Sequence, residues 1–333
     1  MMAETFAGVA LTGTGSAVPD TVLTNDDLAE VVETSDEWIK SRTGIGARRL
    51  LSPQESLTSL AVQAGKQALA SAGLAATDLN LILLATSTAN DKFGSATQIQ
   101  HEIGAKWAVA FDLTAACSGF IFGLVTAAQF IRTGTYRNIL LIGADVLSHW
   151  VDWSDRRSCV LFGDGAGAVV IQAHREDRLL GFELRSDGSG HHHLNIASRT
   201  QARPLTNNAS IGQQDFMPIA MNGQEVYKFA VRSVPEVIDK ALYRSGVTAD
   251  EIDWLLLHQA NKRILDAVAL RLAIPPKKVI SNLENYGNTS AASIPLALDE
   301  WVRFGHIQPG DLIAASGFGA GLSWGAAVFR WAT

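Results

Sequence analysis

The chain runs through one order of parts twice, and this repetition constrains its fold more than any other feature of its 333 residues. In the first pass, "DLNLILLATSTAN" (78–90) leads to a cysteine, an apolar helical stretch, the run at 139–143 and the glycine-rich "GDGAGAVVI" (163–171). In the second, "EIDWLLLHQAN" (251–261) leads to "NYGNTSAASIPLALDEW", the run at 312–316 and "GAGLSWGAAVF" (319–329). A chain that repeats its own order of parts is built from similar structural units. Two such halves packed face to face are expected.

The local pattern sets the class. Short apolar runs bounded by turn residues, "LNLILLAT" (79–86), "NILLIGAD" (138–145), "AGAVVIQA" (166–173), "DWLLLHQA" (253–260) and "LIAASGF" (312–318), predict buried strands. "SLTSLAVQAGKQALASAG", "FIFGLVTAAQFIRTG", "GQEVYKFAVRSVPEVIDKALYRSG" and "NKRILDAVALRLA" predict helices, several ending on a glycine suited to a C-cap. The alternation predicts an α/β fold. The expected organisation is a first half over 1–184, a polar, loop-rich connection over 185–225 and a second half over 226–333.

With 47% hydrophobic and 18% charged residues, the chain can bury one large core or two fused ones. A net charge of -6 gives no general affinity for nucleic acid or anionic membrane, so a polyanion needs a local basic site. Cys117 and Cys159 cannot form a disulfide framework and belong to no CxxC pair, which points to a reducing compartment. The start "MMAETFAGVALTG" carries Glu4 and lacks the basic and apolar regions of a secretory leader. Phe120 to Ile131 is interrupted by Gly123, Thr126 and Gln129 and falls short of the roughly 20 residues of a membrane span. A soluble cytoplasmic protein is expected.

Three residues stand out chemically. Cys117 in "DLTAACSGF" (112–120) precedes an apolar helix, whose unpaired N–H groups and dipole favour a thiolate. A solitary cysteine is otherwise a small core hydrophobe. A helix apolar on most faces would be buried, so this thiol would lie deep and need a channel. His258 ends a strand, where α/β folds place ligand-binding groups, although a satisfied core histidine reads the same way. Asn288, beside a glycine in "ENYGNTSAAS", suits a turn or a helix cap. Cys117 and Asn288 each precede the main helix of their own half, and His258 follows the strand matching 79–86, so a pseudo-twofold axis would bring the three together. His191 to His193 lie in a polar loop with diverging side chains; a surface role and no metal are expected.

The segments "AACSGF", "FGDGAGAVV", "HQAN", "NYGNTSAAS" and "GFGAGLSWG" resemble β-ketoacyl-[acyl-carrier-protein] synthase III, a condensing enzyme of the thiolase superfamily, and the likeness runs from "TGTGSAVPD" to "WGAAVFRW". The resemblance implies a thiolase-like fold of two α/β halves layered about a pseudo-twofold axis. It implies Cys117, His258 and Asn288 as the catalytic set, where elongating synthases use Cys, His and His. Acetyl-CoA would acylate Cys117, and malonyl-acyl-carrier-protein would lose carbon dioxide and condense with the acyl group, initiating fatty-acid synthesis. Decarboxylation itself makes the enolate, so neutral His258 and Asn288 need only donate hydrogen bonds to its oxygen. No cofactor is implied beyond the coenzyme A thioester substrate.

The same resemblance assigns an oxyanion hole to backbone N–H groups of Cys117 and of the loop holding Gly319 and Ala320. It assigns coenzyme A to Trp38, Arg42 and Arg156, and an acyl pocket across a homodimer interface to Phe93. Acyl carrier protein would meet Gln259, Ala260, Asn261, Lys262 and Arg263. Departures from the family pattern are Gly94-Ser95 for proline-serine, Asp145 where glutamate is frequent, and Ala320 for a third glycine. Three rivals stay open: a relative using longer or branched primers, a cysteine thioesterase, and a non-catalytic carrier-protein binding module.

Overall fold

The two passes of the sequence fold into two five-stranded sheets with one strand order. Strands β1 (Gly8–Ala17), β2 (Leu81–Ala85), β3 (Val109–Leu113), β4 (Asn138–Val146) and β5 (Asp164–His174) are arranged β1-β5-β4-β2-β3. Strands β6 (Leu179–Ser186), β7 (Trp254–Leu257), β8 (Val279–Ile280), β9 (Leu312–Gly319) and β10 (Ser323–Arg330) are arranged β6-β10-β9-β7-β8. In each sheet the third-ranked strand runs parallel to the fourth and antiparallel to the second. The computed structural model describes residues 8–332, so residues 1–7 of the stretch read for a leader lie outside it.

Side-chain alternation along the strands explains the layering. Leu81, Leu83, Ile139 and Leu141 point to one face of the first sheet, and Ile82, Leu84, Leu140 and Ile142 to the other, each within its own apolar cluster. Both faces are covered, which is why these runs read as continuously apolar. Helices α2 (Leu57–Ser71) and α3 (Ala96–Ile103) cover the outer face. Helices α5 (Gly223–Ser245) and α6 (Lys262–Arg271) cover the outer face of the second sheet. Between the sheets lie α4 (Gly119–Arg132) and α7 (Ser293–Arg303), with Phe120, Leu124, Ile131, Ile294 and Leu298 in a cluster shared by both halves.

Contact across the centre is close. A Cβ on Gly143 would stand 2.1 Å from the Ala291 carbonyl oxygen, and one on Gly167 2.5 Å from the Leu296 nitrogen. Only glycine lets β4 and β5 approach α7 this way.

The half boundaries differ from the sequence reading. Residue 184 falls inside β6, which pairs with β10, so the first half ends between His174 and Leu179. Strand β6 is half-buried, with alternating burial, and so lacks the apolar run that marked the other strands. The connection is not simply loop: it carries a hairpin of Ser198–Thr206 with Ala209–Phe216, and α5 begins at Gly223, where its segment predicts, so it crosses the half boundary placed at 226. The hairpin is exposed along its whole length and therefore carries no hydrophobic periodicity. Among the described residues, no helix is long and apolar enough to cross a membrane.

Gly143→Ala is expected to destabilise the protein by roughly 3 kcal/mol, the cost of overpacking a tight core against backbone. Gly188→Ala, which meets nothing within 4 Å, should stay within about 0.5 kcal/mol of wild type. Denaturant unfolding of both variants checks this, and equal stabilities would contradict it.

Candidate active site

The two central helices begin in matching strained turns. A one-turn 3₁₀ segment, Ala116–Ser118, precedes α4, and another, Ser290–Ala292, precedes α7. The first residue of each is left-handed, with φ 47° at Ala116 and 51° at Ser290. For non-glycine residues this conformation costs about 1–2 kcal/mol and persists where packing enforces it. In this correspondence Cys117 matches Ala291. The frame is symmetric, but the chemistry is not.

Cys117 is buried at the start of α4, and its sulfur receives a hydrogen bond from Ser290 Oγ at 3.2 Å. The end of β9 presses on it: a Cβ on Gly319 would lie 2.9 Å from Cys117 Cβ and 3.0 Å from its backbone nitrogen. Burial pushes the thiol up to about 12; Ser290 pulls it down and the Asp145 carboxylate pushes it further up. The helix-terminus argument for a thiolate is therefore outweighed in the resting site, because desolvation penalises the anion more. Asp145 is itself fully buried, accepting from Thr86 Oγ1 (3.2 Å), Ser87 N (2.8 Å), Thr88 Oγ1 (2.9 Å) and Ala291 N (3.1 Å). Its pKa is raised by that burial.

His258 follows β7, anchored by its N–H to the Ser316 carbonyl at 2.8 Å. Its Nδ1 lies 2.7 Å from Ser293 Oγ, and its ring packs edge-on against Phe318 with centroids 5.2 Å apart. Ser293 Oγ accepts from the Gln259 N–H at 3.3 Å, so its own hydrogen is available to Nδ1. With Ser293 donating to Nδ1, the ring hydrogen would sit on Nε2 and make His258 a donor at its free end. Burial holds its pKa down to about 3, so the ring is neutral.

Asn288 is fixed by its backbone, which donates to the Leu161 carbonyl at 2.8 Å and accepts from Gly163 N at 3.0 Å. Its Oδ1 accepts from Ser290 N at 2.9 Å, leaving the amide hydrogens to donate elsewhere. Behind this strip the buried Arg48 guanidinium binds the Val160 carbonyl at 2.9 Å and Asn25 Oδ1 at 2.8 Å. Three residues of one segment thus join the set: Asn288 itself, Ser290 on Cys117, and Ser293 on His258. Ser290, Ser293 and Phe318 were missed in the sequence. The hydroxyl spacing in "NTSAAS" ahead of an apolar helix was the signal available.

A cavity of about 1230 Å³ reaches Cys117, Ser290, Ala320 and Gly321 from a wall that includes Phe93, Phe111 and Trp150. His258 and Asn288 are not on its wall. Ala320 is half-exposed there, so its methyl group is accommodated. Phe93 is fully exposed at the cavity. Trp38 and Arg42 on helix α1 (Asp36–Thr43) meet Arg156: the two guanidinium carbons lie 4.8 and 5.2 Å from the indole centroid. None of these three lines the cavity.

The carrier segment divides. Gln259 is buried, with Nε2 donating to the Leu257 carbonyl at 2.7 Å and Oε1 accepting from Asn282 N at 3.2 Å, so it cannot meet a partner as expected. It braces β7 instead. Asn261 caps α6, Lys262 pairs with Asp266 at 2.7 Å, Ala260 is half-buried and Arg263 is exposed. His191 to His193 stack on one another, and among the described residues no group of His, Cys, Asp or Glu is arranged to hold a metal.

Because burial keeps His258 neutral, its ring NMR signals should not move between pH 5 and 8. A titration midpoint near the ordinary 6.5 would contradict the neutral ring.

Residues 111–188 match the family 3-Oxoacyl-[acyl-carrier-protein (ACP)] synthase III, and residues 242–331 match its C-terminal part. A Nostoc protein named Beta-ketoacyl-[acyl-carrier-protein] synthase III is 68% identical over 324 residues, 97% of this chain and 98% of that one. The crystal structure of 3-oxoacyl-[acyl-carrier-protein] synthase III from Aquifex aeolicus is 45% identical, with a TM-score of 0.89 over 97% of this chain and all of that one. The enzyme of the same name from Pseudomonas aeruginosa is 39% identical with a TM-score of 0.87, covering 98% of this chain and 99% of its own. The family match, identities of 39 to 68% and near-complete coverage agree: this chain belongs to the 3-oxoacyl-[acyl-carrier-protein] synthase III family.

Proposed function

We propose that this protein condenses acetyl-CoA with malonyl-acyl-carrier-protein, releasing carbon dioxide and coenzyme A and forming acetoacetyl-acyl-carrier-protein, the first condensation of fatty-acid synthesis. The observation that carries this reading is Ser290: its hydroxyl lies on the Cys117 sulfur while its N–H fixes Asn288, which ties the nucleophile to an amide donor in one segment. Cys117 takes the acetyl group. The close approach of Gly319 to the Cys117 backbone supports their N–H groups, with that of Ala320, as the oxyanion hole.

Malonyl decarboxylation needs no base to remove a carbon-bound proton, because loss of carbon dioxide leaves the electron pair. It needs donors at the enolate oxygen, a role suited to a neutral His258 bearing its hydrogen on Nε2 and to the Asn288 amide. The enolate carbon then attacks the acetyl thioester, and the Cys117 sulfur leaves.

The indole of Trp38, flanked by Arg42 and Arg156, offers a stacking surface for adenine with two cations for phosphate. Arg263 and Lys262 give positive charge for an acidic carrier protein. The cytoplasm suits the chemistry because Cys117 must remain a thiol. Homodimer formation is supported by β3, the sheet's open edge, where Val109 and Phe111 are exposed beside exposed Trp107 and Phe93.

With radiolabelled acetyl-CoA, wild type and His258→Ala should both become labelled on Cys117, while His258→Ala and Asn288→Ala lose condensation by about 10²- to 10³-fold. Free acetate released without malonyl consumption would instead identify a thioesterase. In sedimentation, wild type should run as a pair of 35.6 kDa chains and Phe111→Glu as one; a monomeric wild type would refute the edge-to-edge assembly.

A further inference from the structure

The Asn288 amide can donate only where its backbone aims it, and that backbone is held by the strip 161–163. Asn288 N donates to the Leu161 carbonyl at 2.8 Å and Gly163 N to the Asn288 carbonyl at 3.0 Å, an isolated parallel bridge centred on Phe162 rather than a sheet. Behind it stands Arg48, fully buried in the short strand Ala47–Arg49 that pairs with Val22–Thr24. Its Nη2 donates to the Val160 carbonyl at 2.9 Å, and its Nη1 to Asn25 Oδ1 at 2.8 Å and the Leu23 carbonyl at 3.2 Å. We propose that Arg48 is a positioning residue for condensation, clamping the 160–163 strip so that the Asn288 amide meets the enolate oxygen. This rests on the condensation reading above.

The contacts suit that task. The stem of Arg48 lies against the strip and against the residue before Asn288: a Cβ on Gly163 would stand 3.2 Å from Arg48 Cβ, and one on Gly287 3.5 Å from it. The far end of the clamp is anchored, because Asn25 Nδ2 donates to the Ile45 carbonyl at 2.8 Å and to Asp36 Oδ1, in the first turn of α1, at 2.9 Å. The three oxygens that Arg48 binds are neutral, and its Nε has no hydrogen-bond partner. Burial lowers its pKa to about 10, which leaves it charged at neutral pH. A buried cation bonded only to neutral groups is costly, so stability alone gives little reason for it, whereas a planar fork that reaches separate carbonyls fixes their spacing. Cys117 is set by its own turn and by Gly319, so the clamp bears on the donor and not on the nucleophile.

The test separates the two half-reactions. Enzyme is acetylated with radiolabelled acetyl-CoA, freed of it and mixed with malonyl-acyl-carrier-protein, and acetoacetyl product is counted per labelled Cys117, so unfolded chains do not enter the rate. Arg48→Lys keeps the charge but not the fork, and condensation should fall about tenfold; Arg48→Met should lower it about 10²-fold, the cost of misplacing a group by about 1 Å. Acetylation of both folded variants should stay near the wild-type rate. In an Asn288→Ala background, Arg48→Lys should change condensation by less than about twofold, because the amide it positions is gone. If Arg48→Met does not fold, the lysine variants decide alone. Condensation at the wild-type rate in Arg48→Lys, acetylation that falls in step with condensation, or a loss that persists undiminished without Asn288 overturns the role of Arg48. A labelled wild type that forms no acetoacetyl product overturns the condensation reading instead.

Discussion

A fully buried carboxylate holds the halves of this protein in register. Asp145 closes the end of β4, takes three hydrogen bonds from Thr86, Ser87 and Thr88 in its own half, and takes a fourth from Ala291 at the start of α7 in the other. A charge at that depth is tolerable only when its acceptor sites are filled. The same bond satisfies an otherwise unpaired N–H at a helix start. Gly143, two residues earlier on the strand, lets the Ala291 carbonyl come within a distance no side chain would permit. Polar satisfaction and steric fit therefore specify one alignment of the two sheets.

From that alignment the reactive groups follow. Both central helices start in the middle of the molecule through the same left-handed turn, but only the first half places a cysteine there. By strand register the position matching His258 in the first half is Ala85, and the hydroxyl of the next residue, Thr86, serves Asp145. The second half supplies the donors: His258 at a strand end, Asn288 before its helix, and Gly319 where a strand meets the cysteine. A duplicated scaffold has become a site in which one half carries the nucleophile and the other arranges what surrounds it.

Burial sets the electrostatics in a consistent direction. It raises the Cys117 thiol and lowers the His258 imidazole, so both are neutral at rest. Such a site is poorly suited to an ion pair of cysteine and histidine. It is well suited to stabilising charge that develops on a substrate oxygen, because fixed donors in a dry pocket need no reorganisation when that charge appears.

The internal repeat, the α/β class and the strands and helices at the core were legible in the letters, because a strand covered on both faces and a helix packed between sheets must be apolar in runs or at helical spacing. Cys117, His258 and Asn288 could also be picked out by their positions before or after those elements. Other features were not legible. The half-buried edge strand β6 alternates and so read as connection, while the hairpin of 198–216 buries nothing and so left no pattern. Gln259 read as a surface residue because the same amide side chain is polar whether solvated or fully bonded inside. The thiolate expected from the helix start gave way to desolvation, a quantity that depends on everything packed around the sulfur.

The sequence by itself determined the repeated order of elements and the residue types able to do carbon chemistry, since periodicity and side-chain chemistry are local properties. Only the tertiary structure decided that Ser290 lies on the Cys117 sulfur, that Ser293 engages His258 Nδ1 and that Asp145 is hydrogen-bonded to the Ala291 N–H. Those relations join groups up to 173 residues apart, and hydrogen bonding and burial at that range exist only once the two halves have closed on each other.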